Sequence, residues 1–190
     1  MSGKGIGVRT IAITGIMIAV VAVFTRSIMV PIGTGFFNFS DVAIYFAAFA
    51  FGPWIGFVAG GVGAALADIS LGYSQFALLT FFAHGLEGLV AGYLGWEGSR
   101  IARFVGKGDT RLRMLLGWLA GTVVMVGLYF VGEAAVPAMW GGLPQALTEW
   151  PFNLLQNVAG GIVGIPLVLA VRRAYPPITQ MGLGATWKER

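Results

Sequence analysis

His84 and Glu87 stand three residues apart inside the apolar run Phe76–Gly95, so a helix there puts both on one face. An ionised side chain left uncompensated in hydrocarbon costs about 3 kcal/mol or more. Glu87 is therefore read as functional, facing protein, a cavity or the interface. Asn153, Gln156 and Asn157 place three amides on one face of a later apolar segment. They suit the lining of a polar pocket somewhat better than hydrogen-bonded glue between helices. Asp68 closes a row of small residues, Gly56, Gly60 and Ala64, at four-residue spacing, and so points into protein. For Asp68 a bond to the next turn and a functional role stand level. Phe36, Phe37, Phe39, Tyr73, Trp140 and Trp150 supply apolar and stacking walls beside the polar Asn38. Together these residues describe a pocket for a small polar molecule. Asp41 and Glu149 are read only as helix N-terminal charges.

Catalysis is the weaker reading. His84 and Glu87 form an acid/base pair on paper, with Ser70 or Ser74 as nucleophile, but no nucleophile motif is present. The chain has one histidine and no cysteine, which excludes disulfides, thiolate metal sites and cysteine catalysis. His84 is read as a satisfied core histidine and not a metal ligand. No metal and no cofactor are expected. No glycine-rich strand–helix phosphate loop occurs, so any use of ATP falls to another protein.

The elements that must position these residues are membrane helices. Only 11% of the residues are charged and 57% are apolar, against about 25% charged in soluble domains. The mean hydropathy is +0.81. Runs approaching the ~20 residues of a membrane span recur along nearly the whole length. Six spans are expected: 9–30, 41–51, 53–70, 76–95, 115–135 and 149–171. The segment 41–51 is too short to cross unaided. No cleavable signal is evident after the basic lead of residues 1–10. Residues 1–175 form one six-helix membrane domain and 176–190 a loose cytoplasmic tail. Ala12, Gly15, Ala19 and Ala22 share one face of the first helix. Packing within the chain and docking of a partner membrane protein are level readings of that face. Arg26 near its far end either snorkels to the headgroups or caps the pocket.

With both termini and the connection 96–113 in the cytoplasm, 11 of the 12 Lys and Arg residues lie inside, Arg26 alone outside. Topology and anionic lipid then explain the pI of 9.8 without nucleic acid. The polar cluster faces outward, as a site loaded from outside requires. The protein is expected in the plasma membrane of a prokaryote, as a multi-pass chain.

Three stretches carry a resemblance: GFFNFSDVAIYFAAFAFGPWIGFVAGGVGAALADISLGY, then HGLEGLVAGYLG, then EWPFNLLQNVAGGIVGIPLVLAVRRAYP. Their combination of N-x-x-D, F-G-P, a small-residue helix ending in Asp, and G-L-E-G resembles the substrate-binding S components of energy-coupling factor (ECF) vitamin transporters. The likeness is nearest to the branch with hydroxymethylpyrimidine- and riboflavin-type carriers. It implies a six-helix subunit that captures a vitamin or precursor from outside and joins a transmembrane coupling (T) subunit and two cytoplasmic ATPases. The Ala12/Gly15/Ala19/Ala22 face would contact the T subunit, the loop 31–40 would act as a lid, and the subunit would topple to release its cargo. Similar proteins often carry Lys before G-L-E-G where this chain has His84, which weakens any inference of an anionic cargo. Phe36, Phe37, Asn38, Asp68, Tyr73, His84, Glu87, Asn153, Gln156 and Asn157 form the expected binding set. A pyrimidine or thiamine precursor is the first expected cargo, riboflavin or a pyridoxine-like compound the next. A stand-alone facilitator or channel, and an intramembrane enzyme, are the alternatives.

Overall fold

A computed structural model describes residues 7–32, 35–105 and 109–182. Gly33 and Thr34 of the expected lid, with Lys4, Lys107, Lys188 and Arg190 of the charge pattern, lie outside the described residues. The elements are α1 (Val8–Ser27), β1 (Val30–Ile32), β2 (Gly35–Phe37), α2 (Ser40–Phe51), α3 (Pro53–Leu71), α4 (Ala77–Gly95), α5 (Arg100–Val105), α6 (Thr110–Ala135), α7 (Pro137–Trp140) and α8 (Gly142–Ala174). A short 3₁₀ turn, Pro176–Gln180, follows. Among the described residues five helices are long and apolar enough to cross a membrane, and α2, with 12 residues, is the shorter sixth apolar helix.

Local chemistry fixes the breaks. Gly52 at φ 99° lets the chain turn between α2 and α3, and Pro53 starts α3 where a missing N–H removes nothing. Gly72 in the left-handed region ends α3. The small row of α3 then brings backbones together: a methyl at Gly56 would lie 2.8 Å from the Gly88 carbonyl, and one at Gly60 2.6 Å from that of His84. Continuing the row, Ala64 and Asp68 are buried at the hairpin end. Helix α2 is buried almost throughout and forms the axis, with α8 crossing it so closely that Gly160 abuts Asp41.

Four features depart from the sequence expectation. The loop 31–40 folds into an antiparallel hairpin, Val30 opposite Phe37 and Ile32 opposite Gly35. Helix α8 begins near residue 142, not 149, because Pro144 falls in its first turn, where proline is tolerated. The connection 96–113 is largely helical, through α5 and the early start of α6. The residues just past Tyr175 are not loose: Ile178, 5% exposed, joins the core of α1, α2 and α3.

The basic end is held by side chains. Arg172 of α8 donates to Glu97 Oε1 at 2.9 Å and to the Phe49 carbonyl at 2.7 Å. Thr110 Oγ1 donates to the same Glu97 oxygen at 3.2 Å and accepts from Arg113 at 3.0 Å. This knot closes the C-terminal ends of α2, α4 and α8 onto the start of α6.

Candidate functional site

At the opposite end, under the hairpin, the helices leave a narrow cavity of about 30 Å³, lined by Thr25, Gly35, Phe36, Asn38, Ala64, Asp68, Phe76, Thr80, His84, Tyr129, Glu149, Asn153 and Gln156. That volume suits about two water molecules. Any ligand larger than that must displace its walls, of which the hairpin supplies Gly35 and Phe36.

Six of the expected binding residues line this cavity: Phe36, Asn38, Asp68, His84, Asn153 and Gln156. Glu87 and Asn157 lie one layer deeper. Asn157 Nδ2 donates to Glu87 Oε1 at 2.7 Å, while Glu87 Oε2 lies 2.9 Å from His84 Nδ1. Tyr45 donates to Asn157 Oδ1 at 2.6 Å, Thr122 donates to that oxygen as well, and Trp118 Nε1 reaches the Asn157 carbonyl at 3.0 Å. Tyr73 packs against Phe36 with ring centroids 4.8 Å apart. Phe37 meets Phe39 edge-on at 5.4 Å, on the hairpin face away from Phe36. Trp140 stacks on the lining residue Phe76 and donates to the Gln75 carbonyl at 2.7 Å. Trp150 is 41% exposed and belongs to an outward groove with Phe130 and Leu147, not to the cavity.

Asp41 is more than a helix-end charge. It is fully buried, its Oδ1 lies 3.3 Å from His84 Nδ1, and Gln156 Nε2 reaches both its oxygens at 3.4 Å. Gln156 Oε1 in turn accepts from the Asn38 backbone at 2.9 Å. A continuous set of polar contacts thus runs from the hairpin backbone through Gln156, Asp41, His84, Glu87 and Asn157 to Tyr45 at mid-bundle. Ser40 does not cap α2 with its own side chain; Asn38 Oδ1 accepts from the Ser40 N–H at 2.7 Å. Asp41, His84 and Glu87 each offer one donor atom within 4.8 Å of the others, the minimum for holding a cation. Hydrogen bonding within the triad and from Gln156 and Asn157 already accounts for that spacing.

Glu149 also departs from the helix-end reading. Because α8 starts earlier, it sits two turns in, lines the cavity, and accepts from Gln145 Nε2 and the Gly35 backbone. A methyl at Gly35 would lie 2.6 Å from Glu149 Oε1, so glycine there allows the hairpin to seat on the carboxylate. Glu133 of α6, fully buried, contacts Glu149. Thr80 and Tyr129 escaped the sequence reading, whereas Glu133 belongs to the outward-facing polar cluster read from the sequence but not to the expected binding set. Tyr129 donates to Thr80 Oγ1 at 2.8 Å and its ring faces His84. Glu133 carries the signal that picked out Glu87, an acid in an apolar run, but its place near a span end kept it out of the expected binding set. Arg26 caps no part of the cavity; it donates to Ser70 Oγ on α3. The small face of α1 turns outward: Ala12, Gly15 and Ala19 are exposed, Ala22 half-buried, and a methyl at Gly15 would meet nothing within 4 Å.

Comparison with known proteins agrees with this architecture. The sequence profile of the family described as "ECF-type riboflavin transporter, S component" matches residues 5–173. A Pyrococcus woesei protein described only as an uncharacterized protein in gap 3'region is 35% identical over 154 residues, covering 80% of this chain and 93% of that one. The thiamine precursor transporter HmpT of Lactococcus lactis subsp. cremoris (strain MG1363) is 29% identical over 133 residues, 70% of this chain and 68% of that one. Among solved structures, the S component of a bacterial ECF transporter superposes with a TM-score of 0.66 at 21% identity, over 87% of this chain and 96% of that one. FolT bound with folic acid superposes with a TM-score of 0.60 at 20% identity, over 89% and 95%. The fold is shared with both.

Proposed function

Because this chain belongs to the family of ECF-type riboflavin transporter S components, a family of multi-pass membrane transport proteins and not of enzymes, we propose that it captures one small heteroaromatic vitamin precursor outside the cell. It then delivers that cargo with a T subunit and two cytoplasmic ATPases. The observation that carries the reading is the cavity: aromatic walls from Phe36, Phe76 and Tyr129, amides from Asn38, Asn153 and Gln156, and a hairpin as the movable side. It lies at the end of the bundle away from Arg113 and Arg172, which supports an outward-facing site under the positive-inside rule.

A hydroxymethylpyrimidine-type thiamine precursor is the favoured cargo. The relative named for thiamine precursor transport supports it, as does a lining richer in hydrogen-bonding groups than a purely apolar ring needs. Riboflavin, named in the family description, comes next, then a pyridoxine-like compound. Phe36, Asn38, Asp68, His84, Asn153 and Gln156 would touch the ligand. Glu87 and Asn157 would act through His84, and Phe37 and Tyr73 through the hairpin. The outward small face of α1 supports the T-subunit contact there.

Native mass spectrometry of protein purified gently from its own cells, with analysis of what is released, is the deciding experiment. A released pyrimidine supports the reading, and Glu87→Gln and Asn153→Ala should then weaken rebinding by roughly tenfold or more. An empty protein that binds none of the three compound classes, or one that conducts solute in liposomes without the ATPases, overturns it.

A further inference from the structure

The cavity wall is unbalanced in charge. Asp68 and Glu149 line it, and among the described residues no Lys or Arg does. His84, the one basic group on the wall, turns Nδ1 to Asp41 and Glu87 at 3.3 and 2.9 Å. Asp68 is 3% exposed, and its Oδ2 has no hydrogen-bond partner among the described residues. Buried Glu133, behind the wall, meets Glu149 carboxyl to carboxyl and has no other side-chain partner among the described residues. Asn153 Nδ2, also on the wall, has no acceptor among the described residues. Buried polar groups are nearly always satisfied, and a buried carboxylate requires a donor or a cation.

We propose that these unspent groups are the recognition pole of the pocket, selecting a ligand with a positively charged or multiply N–H-donating nitrogen group and excluding phosphate esters. The inference rests on the reading of this cavity as the cargo site of an S component. The nitrogen group donates to Asp68 Oδ2 from the α3 side and to the Glu149–Glu133 pair from the α8 side. A ring nitrogen or carbonyl accepts from Asn153 Nδ2. A phosphate would sit beside two carboxylates with no cationic side chain to receive it, a like-charge juxtaposition in a poorly hydrated site.

Calorimetric titration of the purified full chain tests the selection with five probes: thiamine as a fixed cation, 4-amino-5-hydroxymethyl-2-methylpyrimidine as an amine, riboflavin as a neutral ring, and the monophosphates of the last two. The expected order is cation or amine above neutral ring, with each phosphate weaker than its parent by roughly a hundredfold or more. Asp68→Asn and Glu149→Gln should each weaken the preferred probe by roughly tenfold to a hundredfold. They should also narrow its margin over the phosphate ester, with thermal melting used to check that the variants remain folded. If riboflavin or a phosphate ester binds as tightly as the amine and cation, the charge selection is wrong while the cargo site stands. If folded variants keep both affinity and margin, the assignment to Asp68 and Glu149 is wrong. If no probe binds, the cargo-site reading itself falls.

Discussion

The two ends of the bundle bury charge in opposite ways. At the basic end the buried cations are met by acceptors: Arg172 has a carboxylate and a carbonyl, and Arg113 a hydroxyl and Glu97 at 3.8 Å, with only the Nε of each arginine left without a partner among the described residues. At the hairpin end Asp41, Asp68, Glu87, Glu133 and Glu149 are all buried, with His84 the one buried base beside them among the described residues. A matched knot fixes helix ends in register. An excess of acids over bases, kept dry, is a standing cost to the fold, whether carried as charge or as bound protons, that a ligand can relieve. One end is therefore built for stability and the other for binding, and substitutions should separate the two.

The largest effect is expected at the matched end. Arg172→Ala strands the Phe49 carbonyl and leaves Glu97 without its closest cation. Stranding the buried carbonyl dominates, because Glu97 is 38% exposed and water takes up its charge; together the losses come to about 2–3 kcal/mol. Thermal melting in detergent should fall markedly, while ligand affinity of the folded fraction stays unchanged. A loss of affinity at unchanged melting would erase the distinction between the ends.

Between the ends, Tyr45 donates to Asn157, which donates to Glu87. Tyr45→Phe removes one buried hydroxyl from that relay while Thr122 still donates to Asn157. A loss of about 1 kcal/mol in stability is expected, with a smaller change in affinity, since Glu87 keeps its bond from Asn157. Paired melting and titration curves would read both. An affinity loss exceeding the stability loss would move Tyr45 into the binding machinery.

This gradient was only half legible in the sequence. Helices could be read because Gly52-Pro53 and Gly72 punctuate them and because acids are rare enough in apolar runs to mark themselves. The close approach of α3 and α4 followed from the small-residue rows. The hairpin was hidden: strands of three residues, one with a proline, give no alternation to detect. Asp41 and Glu149 were misjudged because a residue near a helix start has a sufficient local explanation. Pro144 is a local mark of the earlier start of α8, but nothing local says that Gly160 brings α8 against Asp41 or that α2 and α4 set Asp41 against His84. Those facts belong to packing between helices far apart in the chain.

The smallest stability change, and the sharpest contrast, is expected for Asp68→Asn. The amide is nearly isosteric, removes a buried charge, and disturbs no bond at Oδ2, which has no partner among the described residues. Folding should therefore lose nothing and gain a little, up to about 1 kcal/mol, so the unliganded protein should melt at or above the parent temperature. Ligand-induced stabilisation should shrink, because it scales with the affinity that Asp68 supports. Melting curves with and without saturating 4-amino-5-hydroxymethyl-2-methylpyrimidine measure both quantities at once. If Asp68→Asn instead destabilises the free protein as Arg172→Ala does, Asp68 is part of the scaffold and the two ends are not different in kind.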